Sequence, residues 1–237
     1  MKHEAKSLQD SKNRGHSLLE GLARELQEGR ISESEWFEKV AEVITPAYLA
    51  ASNPRAQSGH SGDEAGWEWA RSLVLEGVQR TGSFLDIGCA NGHLMESLEE
   101  WSAKKGLALE LYGLDIAPEL VALALERLPR FSDKIFVGNA LTWEPPFRFD
   151  FVRTGLEYVP SMRVEQYLRR LLSDFLAPGG RLLIGSFNEE KKEYASGTLA
   201  EEALRGWGFG IAGSWEREHR RDPRLLYRVI AVNNASS

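Results

Sequence analysis

Phe84-Leu85-Asp86-Ile87-Gly88-Cys89-Ala90-Asn91-Gly92 is the stretch on which the fold depends. An apolar run ends in an acid, passes through a glycine-bracketed turn and leads into a helix expected to begin near His93. Strand, turn and helix joined in this way bring backbone to a ligand at the carboxyl edge of a parallel sheet. A dinucleotide site would read G-x-G-x-x-G and present bare N–H groups and a helix N-terminus to a pyrophosphate. Here Gly88 fits, but Ala90 stands at the second glycine and His93 at the third. Asp86 puts a carboxylate at the strand tip, where it would repel a pyrophosphate. Such a tip suits a ligand carrying positive charge, such as a sulfonium and an ammonium.

Around this centre, apolar runs and amphipathic stretches alternate. The spacing predicts strands over 84–87, 109–115, 134–138, 149–154 and 181–187, and helices over 93–105, 118–128, 161–176 and 198–206. Two later runs, 209–216 and 225–232, flank the polar turn from His219 to Arg224 and read as an antiparallel hairpin. Upstream, Leu18, Leu19, Leu22 and Leu26 predict a helix over 16–27 that stops near Gly29. Ser32 followed by Glu35 is a capping-box pattern for a helix carrying Trp36, Phe37, Val40, Val43 and Ile44. Pro46 is expected to kink that helix or begin a new turn. The breaker-rich segment 52–62 reads as a loop, and Asp63 as the cap of a helix with Trp67, Ala70, Leu73, Val74 and Val78 on its buried side. Residues 1–14 are polar and read as a loose end.

The 237 residues suffice for one α/β domain with an added element. A hydrophobic content of 42% with 27% charged residues is ordinary for a globular protein, and no apolar run reaches bilayer length. The first residues lack a secretory core, and a single cysteine excludes an internal disulfide. A reducing cytoplasmic setting without membrane contact is therefore expected. The net charge of −6 argues against a broad nucleic-acid footprint.

Residues 84–92 resemble motif I of the class I S-adenosylmethionine-dependent methyltransferases, and the resemblance continues in order downstream. Leu111-Tyr112-Gly113-Leu114-Asp115-Ile116 resembles motif II, where one carboxylate can accept both hydroxyls of a ribose diol. Phe136-Val137-Gly138-Asn139-Ala140 resembles the strand end that meets the adenine. Phe149–Gly155 resembles the fourth strand, and Leu176–Ile184 the turn into the fifth. The resemblance covers roughly residues 67–232. It implies a Rossmann-like fold, with a doubly wound, mostly parallel seven-stranded sheet and one antiparallel strand, plus a helical N-terminal extension. Its implied donor site comprises Asp86, Gly88, Cys89, Ala90, Asn91 and Gly92 at the first turn and Asp115 and Ile116 at the second strand end. Asn139, Ala140 and Leu141 follow the third strand, and Thr154 ends the fourth. The implied methyl donor is S-adenosylmethionine, with no metal. The expected division is an extension and lid over 1–62 and a catalytic domain over 63–237.

Methyl transfer from a sulfonium asks mainly for alignment, water exclusion and, where needed, removal of a proton from the acceptor. Glu157 and Tyr158, just beyond the fourth strand, are the candidates for a general base and for a pocket wall or orienting group. Gln57, Ser58 and His60 are candidates for contacting the donor's methionine end, with Tyr48 and Trp67 shaping a lid; a plain connector is the alternative. Arg153, a charge within an apolar strand, is expected to pair with an acid or bind the acceptor. Cys89 sits inside the glycine turn, which argues against a nucleophilic role. Glu144-Pro145-Pro146-Phe147 precedes the fourth strand rather than following it, so it reads as a stiffened loop and not as a base-methylating motif. Arg217, His219, Arg220, Arg221, Arg224 and Arg228 form a basic cluster that could meet RNA phosphate, or simply end a solvated hairpin. A small-molecule acceptor is the expectation. RNA or protein methylation, an NAD(P)-binding reductase and a donor-binding protein without turnover are the rivals.

Overall fold

The structure is a computed structural model that describes residues 18–195 and 197–234. The polar end over 1–14, and His16 and Ser17 of the first expected helix, lie outside the described residues. Residues 18–27 form helix α1, whose Leu22 and Leu26 pack against the core. Helix α2 (Glu33–Leu49) starts at the expected capping box. The Ser32 Oγ accepts from the Glu35 N–H at 3.2 Å, while Glu35 Oε2 accepts from the Ser32 N–H at 2.7 Å. A cap of this kind stabilises a helix by about 1 kcal/mol. Pro46 begins no new element: α2 runs through it to Leu49. Its missing N–H falls in the last turn, where it removes a single helical bond.

Seven strands form one sheet in the order β3-β2-β1-β4-β5-β7-β6. They are β1 (Gly82–Ile87), β2 (Leu109–Asp115), β3 (Ile135–Val137), β4 (Phe149–Thr154), β5 (Leu176–Glu190), β6 (Ile211–Glu218) and β7 (Leu225–Asn233). Neighbours from β3 to β5 pair parallel, and β7 lies antiparallel to both β5 and β6. Helices α3 (Glu64–Arg71), α4 (His93–Lys104), α5 (Pro118–Arg127), α6 (Val164–Arg170) and α7 (Ala200–Gly206) flank it.

Successive strand residues point to opposite faces, and the core divides accordingly. Phe84, Leu111, Phe151 and Leu183 bury one face with Trp67, Leu73, Val74, Met95 and Leu98. Leu85, Ile87, Leu114, Val152 and Leu182 bury the other with Trp36, Phe37, Tyr167, Leu168 and Leu171.

Several expected boundaries move; the helix expected to carry Trp67 through Val78 ends at Arg71 and continues as a 3-10 turn over Ser72–Gly77. The helix expected over 161–176 is broken into a 3-10 turn, α6 and a π turn over Leu171–Phe175. Strand β5 begins at Leu176 rather than 181, because Leu176 already pairs with Phe149 before the Gly179 and Gly180 irregularity. The strand order reverses at β1, whose neighbours β2 and β4 lead to opposite halves of the sheet. In an open α/β sheet this crevice, outside the carboxyl ends of the strands, is where ligands bind.

Candidate active site

The turn after β1 is shaped by three residues in the left-handed region: Gly88 (φ 72°), Ala90 (φ 48°) and Gly92 (φ 75°). Ala90 holds a conformation that costs a residue with Cβ roughly 1–2 kcal/mol. What offsets it is Asp115 at the end of β2, whose Oδ2 accepts the Ala90 N–H at 2.8 Å and whose Oδ1 accepts the Ala117 N–H at 2.9 Å. Burial pushes the Asp115 carboxyl above the usual carboxylate range, opposed by those backbone donors. A carboxylate offers about four lone-pair sites, so two remain for a diol. Ile116, beside it, is half-buried and packs on the core.

Asp86 is fully enclosed at the tip of β1. Its Oδ1 pairs with the Arg153 Nη1 at 3.2 Å, and its Oδ2 is buried with no partner. Burial raises its pKa, opposed by Arg153. The sequence reading treats Asp86 as a free negative tip, whereas the structure shows a carboxylate with one oxygen spent on a buried guanidinium. Arg153, directly opposite Asp86 on β4, also donates from Nη1 to the Ile87 carbonyl at 3.4 Å and to the Tyr158 hydroxyl at 2.8 Å. The Tyr158 ring lies over the turn: a Cβ on Gly88 would stand 2.7 Å from it. Burial holds the Tyr158 phenol well above the usual tyrosine range. The Glu157 carboxylate is exposed and folds back over Gly155, 2.5 Å from where a Cβ there would be.

The remaining expected donor residues divide. Cys89 is buried beside Gly113, and burial pushes its thiol well up, so no reactive thiolate forms there. Asn139 folds its Oδ1 onto the Leu141 N–H at 2.9 Å, capping its own turn. Ala140 is buried, with its carbonyl accepting from Arg170. The Thr154 hydroxyl is spent on Tyr167 at 2.6 Å, on the side of the sheet that carries α6.

Asn91 is fully buried, and its side chain anchors the 52–62 loop. Its Oδ1 accepts from the Ser58 hydroxyl at 2.6 Å and the His93 N–H at 3.1 Å; its Nδ2 donates to the Pro54 carbonyl and the Gln57 Oε1. Gln57 and Ser58 therefore meet the turn itself. Tyr48 packs on Ala90, Ala117 and Leu120, and its hydroxyl fills the space beside Gly59. His60 meets the edge of Trp67, which stacks on His93 at 4.7 Å.

Arg71 is a site residue that the sequence reading missed. Its guanidinium lies 3.6 Å above the Phe187 ring, its Nη1 is buried without a partner, and burial together with Arg153 lowers its pKa to about 10. The signal was available: Arg71 follows Trp67 by four and precedes Val74 by three, in phase with the buried stripe of α3. Three of the five arginines at the basic hairpin end pair with acids, and Arg221 meets a serine. Arg217 meets Glu76, Arg221 holds Ser61, Arg224 pairs with Asp222, and Arg228 with Glu189, Glu201 and Glu216.

The switch-point crevice therefore holds a buried acceptor atom on Asp86, a buried donor atom on Arg71 and a carboxylate on Asp115 with capacity to spare. These match the ammonium, carboxylate and ribose of an amino-acid-bearing nucleoside, so the residues present fit S-adenosylmethionine. A family described as "Methyltransferase domain" matches residues 84–180. That match agrees with the resemblance to class I S-adenosylmethionine-dependent methyltransferases carried by the motifs within the same residues.

Over 127 residues the chain is 27% identical to the ubiquinone biosynthesis O-methyltransferase of Idiomarina loihiensis, covering 52% of this chain and 49% of that protein. The chain thus spans about half the length of this curated relative. Among solved structures it is similar to the 1,6-didemethyltoxoflavin-N1-methyltransferase of Burkholderia thailandensis with bound 1,6-didemethyltoxoflavin and S-adenosylhomocysteine. That match has a TM-score of 0.60 and 18% identity, over 86% of this chain and 91% of that one. It is also similar to the [4+2]-cyclase SpnF, with a TM-score of 0.55 and 17% identity over 70% of this chain and 80% of that one. Both likenesses speak to the fold, and a fold hosts more than one chemistry.

Proposed function

We propose that this chain transfers a methyl group from S-adenosylmethionine to a small-molecule acceptor. The observation that carries the reading is the pair of enclosed, unpartnered atoms, Asp86 Oδ2 and Arg71 Nη1, at the crevice where Asp115 keeps spare acceptor capacity. An unpaired buried polar atom costs about 1–3 kcal/mol, which a ligand of matching chemistry would recover.

In this reading Asp115 grips the ribose diol, Asp86 receives the ammonium and Arg71 the carboxylate. Bound S-adenosylmethionine supplies a sulfonium methyl whose carbon–sulfur bond breaks with its electron pair left on sulfur. Tyr158 walls the acceptor side over Gly88, and Glu157 takes the proton that the acceptor loses as its new bond to carbon forms. Residues 1–62 act as a lid on a catalytic domain over 63–237, with Tyr48 and the 52–62 loop keeping water from the turn. Support for the lid is the set of bonds from Asn91 to Pro54, Gln57 and Ser58. A lid that encloses the turn favours a compact acceptor, and acids within the chain already pair Arg217, Arg224 and Arg228 of the basic cluster. The name of the curated relative favours an oxygen acceptor. A cytoplasmic setting belongs to the same proposal; among the described residues no helix is long and apolar enough to cross a membrane.

Calorimetry with S-adenosylhomocysteine and with NADP tests the donor, and binding of the first alone is expected. Incubation with methyl-labelled donor and fractionated extract tests the acceptor. Label is expected in small molecules and to survive nuclease and protease. Label that disappears with either enzyme overturns the small-molecule reading.

A further inference from the structure

β4 reads Phe149-Asp150-Phe151-Val152-Arg153-Thr154, and Arg153 places a guanidinium, 4% exposed, among apolar neighbours. An apolar residue would complete that strand at no electrostatic cost, so the charge needs an account. One part of it is Asp86. The other is the Tyr158 hydroxyl, which accepts from Arg153 Nη1 at 2.8 Å. Because that bond occupies a lone pair on the phenol oxygen, the phenol's own proton must point away from Arg153. Among the described residues nothing accepts it. The hydroxyl oxygen stands 3.1 Å from the position a Cβ on Gly88 would take, so the phenol reaches the turn.

We propose that Arg153 is a positioning residue for the acceptor: it fixes the rotation of the Tyr158 hydroxyl so that its O–H donates to the heteroatom receiving the methyl group. This rests on the methyl-transfer reading above and adds to it a hydrogen bond that orients the acceptor. Both bonds come from one nitrogen, Arg153 Nη1, whose place is set by the longer, planar guanidinium. A lysine ammonium ends nearer the backbone and does not reproduce that position. The same cation joins the two halves of the site: Asp86 lies on the donor's side and Tyr158 on the acceptor's. The atom that receives the methyl group is thereby expected to be an oxygen, as in a hydroxyl or enolate, which keeps a second lone pair for Tyr158; an amine nitrogen has one lone pair and cannot serve both. A bare hydrocarbon has none to offer.

The test uses the full chain labelled with ¹³Cζ-tyrosine, with the Tyr158 resonance assigned by its loss in Tyr158→Phe. Arg153→Gln is expected to move that resonance at neutral pH. It is also expected to slow labelling of the extract fraction that the wild-type protein methylates by about 100-fold, the scale of a misplaced reacting group. Tyr158→Phe should slow it similarly, and the double variant should be no slower than either alone, since both remove one unit. Should Arg153→Gln fail to fold, Arg153→Lys keeps a charge beside Asp86 and is expected to move the resonance and slow the reaction as well. Tyr158→Phe should bind S-adenosylhomocysteine within threefold of wild type. An unmoved Tyr158 resonance in the Arg153 variants, or multiplicative losses in the double variant, would overturn the proposal while leaving methyl transfer standing. A tenfold loss of S-adenosylhomocysteine affinity in Tyr158→Phe, with the rate at saturating donor unchanged, would do the same by moving Tyr158 to the donor's side. A wild-type protein that binds no S-adenosylhomocysteine would remove the methyl-transfer reading itself.

Discussion

Replacing Asp115 by asparagine probes the grip on the donor. The carboxylate already accepts one backbone N–H on each oxygen, from Ala90 and Ala117, and two lone-pair sites remain. In Asp115→Asn one oxygen becomes an NH2 that cannot accept, so one ribose bond and the negative charge are lost together. A hydrogen bond to a charged group contributes about 1.5–3 kcal/mol, which corresponds to a roughly 10- to 150-fold weaker dissociation constant. The new NH2 also faces the Ala90 or Ala117 N–H, so the turn itself loosens. Calorimetry with S-adenosylhomocysteine and with its 2′,3′-dideoxy analogue separates the two effects. Loss of the ribose bond weakens the parent ligand and leaves the dideoxy analogue nearly unchanged between wild type and variant. Loosening of the turn weakens both equally. Equal losses, or no loss for either, would refute the assignment of Asp115 to the sugar.

Three further outcomes follow from the same geometry. Asn91→Ala removes four side-chain bonds, three of them to the 52–62 loop; a stability loss of about 2–4 kcal/mol is expected in urea unfolding, with faster amide exchange at 54–60. Unchanged exchange there would remove Asn91 as the anchor. Gly88→Ala demands a left-handed alanine and a Cβ 2.7 Å from the Tyr158 ring, so S-adenosylhomocysteine binding should vanish by calorimetry, and wild-type affinity would show that the turn is not as described. Burial lowers the His93 pKa below its usual 6.5, so the neutral ring is favoured in the fold. The unfolded chain then binds more protons over the window from that lowered value up to 6.5. The contribution is fully present above 6.5 and is lost as the pH falls through the folded value. His93→Gln should flatten the dependence of urea midpoint on pH in this window, and an unchanged slope would exclude His93 as its source.

How much was legible depended on whether one strand carried the signal. The turn after β1 reads from nine consecutive residues, because a left-handed backbone beside a strand end admits few residue types, and Gly88 and Gly92 announce it. The role of Ala90 did not read the same way: only Asp115, 25 positions later, explains how a residue with Cβ is held at φ 48°. The fate of Thr154 was hidden for a similar reason. Its position marks the end of β4, but which face receives its hydroxyl depends on Tyr167 from α6. Asn91 illustrates the converse. Its place in the turn suggested a ligand contact, and its bonding capacity goes instead to a loop more than thirty residues upstream.

The buried arginines carry this point further. Arg153 was visible as an anomaly, since a cation in an apolar strand must have a partner, but the partner's identity needed the β1–β4 register that sets it opposite Asp86. Arg71 was visible only to someone asking which charged residue shares the phase of Trp67 and Val74. Together they change the electrostatics that residues 84–92 suggest alone. An unopposed Asp86 would favour any cation. Paired through Oδ1 with Arg153 and flanked by Arg71, it offers a single directed acceptor atom beside a donor atom. In the proposed reading that arrangement favours a zwitterion over a simple cation. The expected consequence is that 5′-methylthioadenosine, which keeps the nucleoside but lacks the amino-acid end, binds at least tenfold more weakly than S-adenosylhomocysteine, at the 1.4 kcal/mol or more that one charged contact contributes. Equal affinity for the two in calorimetry would mean that Asp86 and Arg71 serve the fold alone.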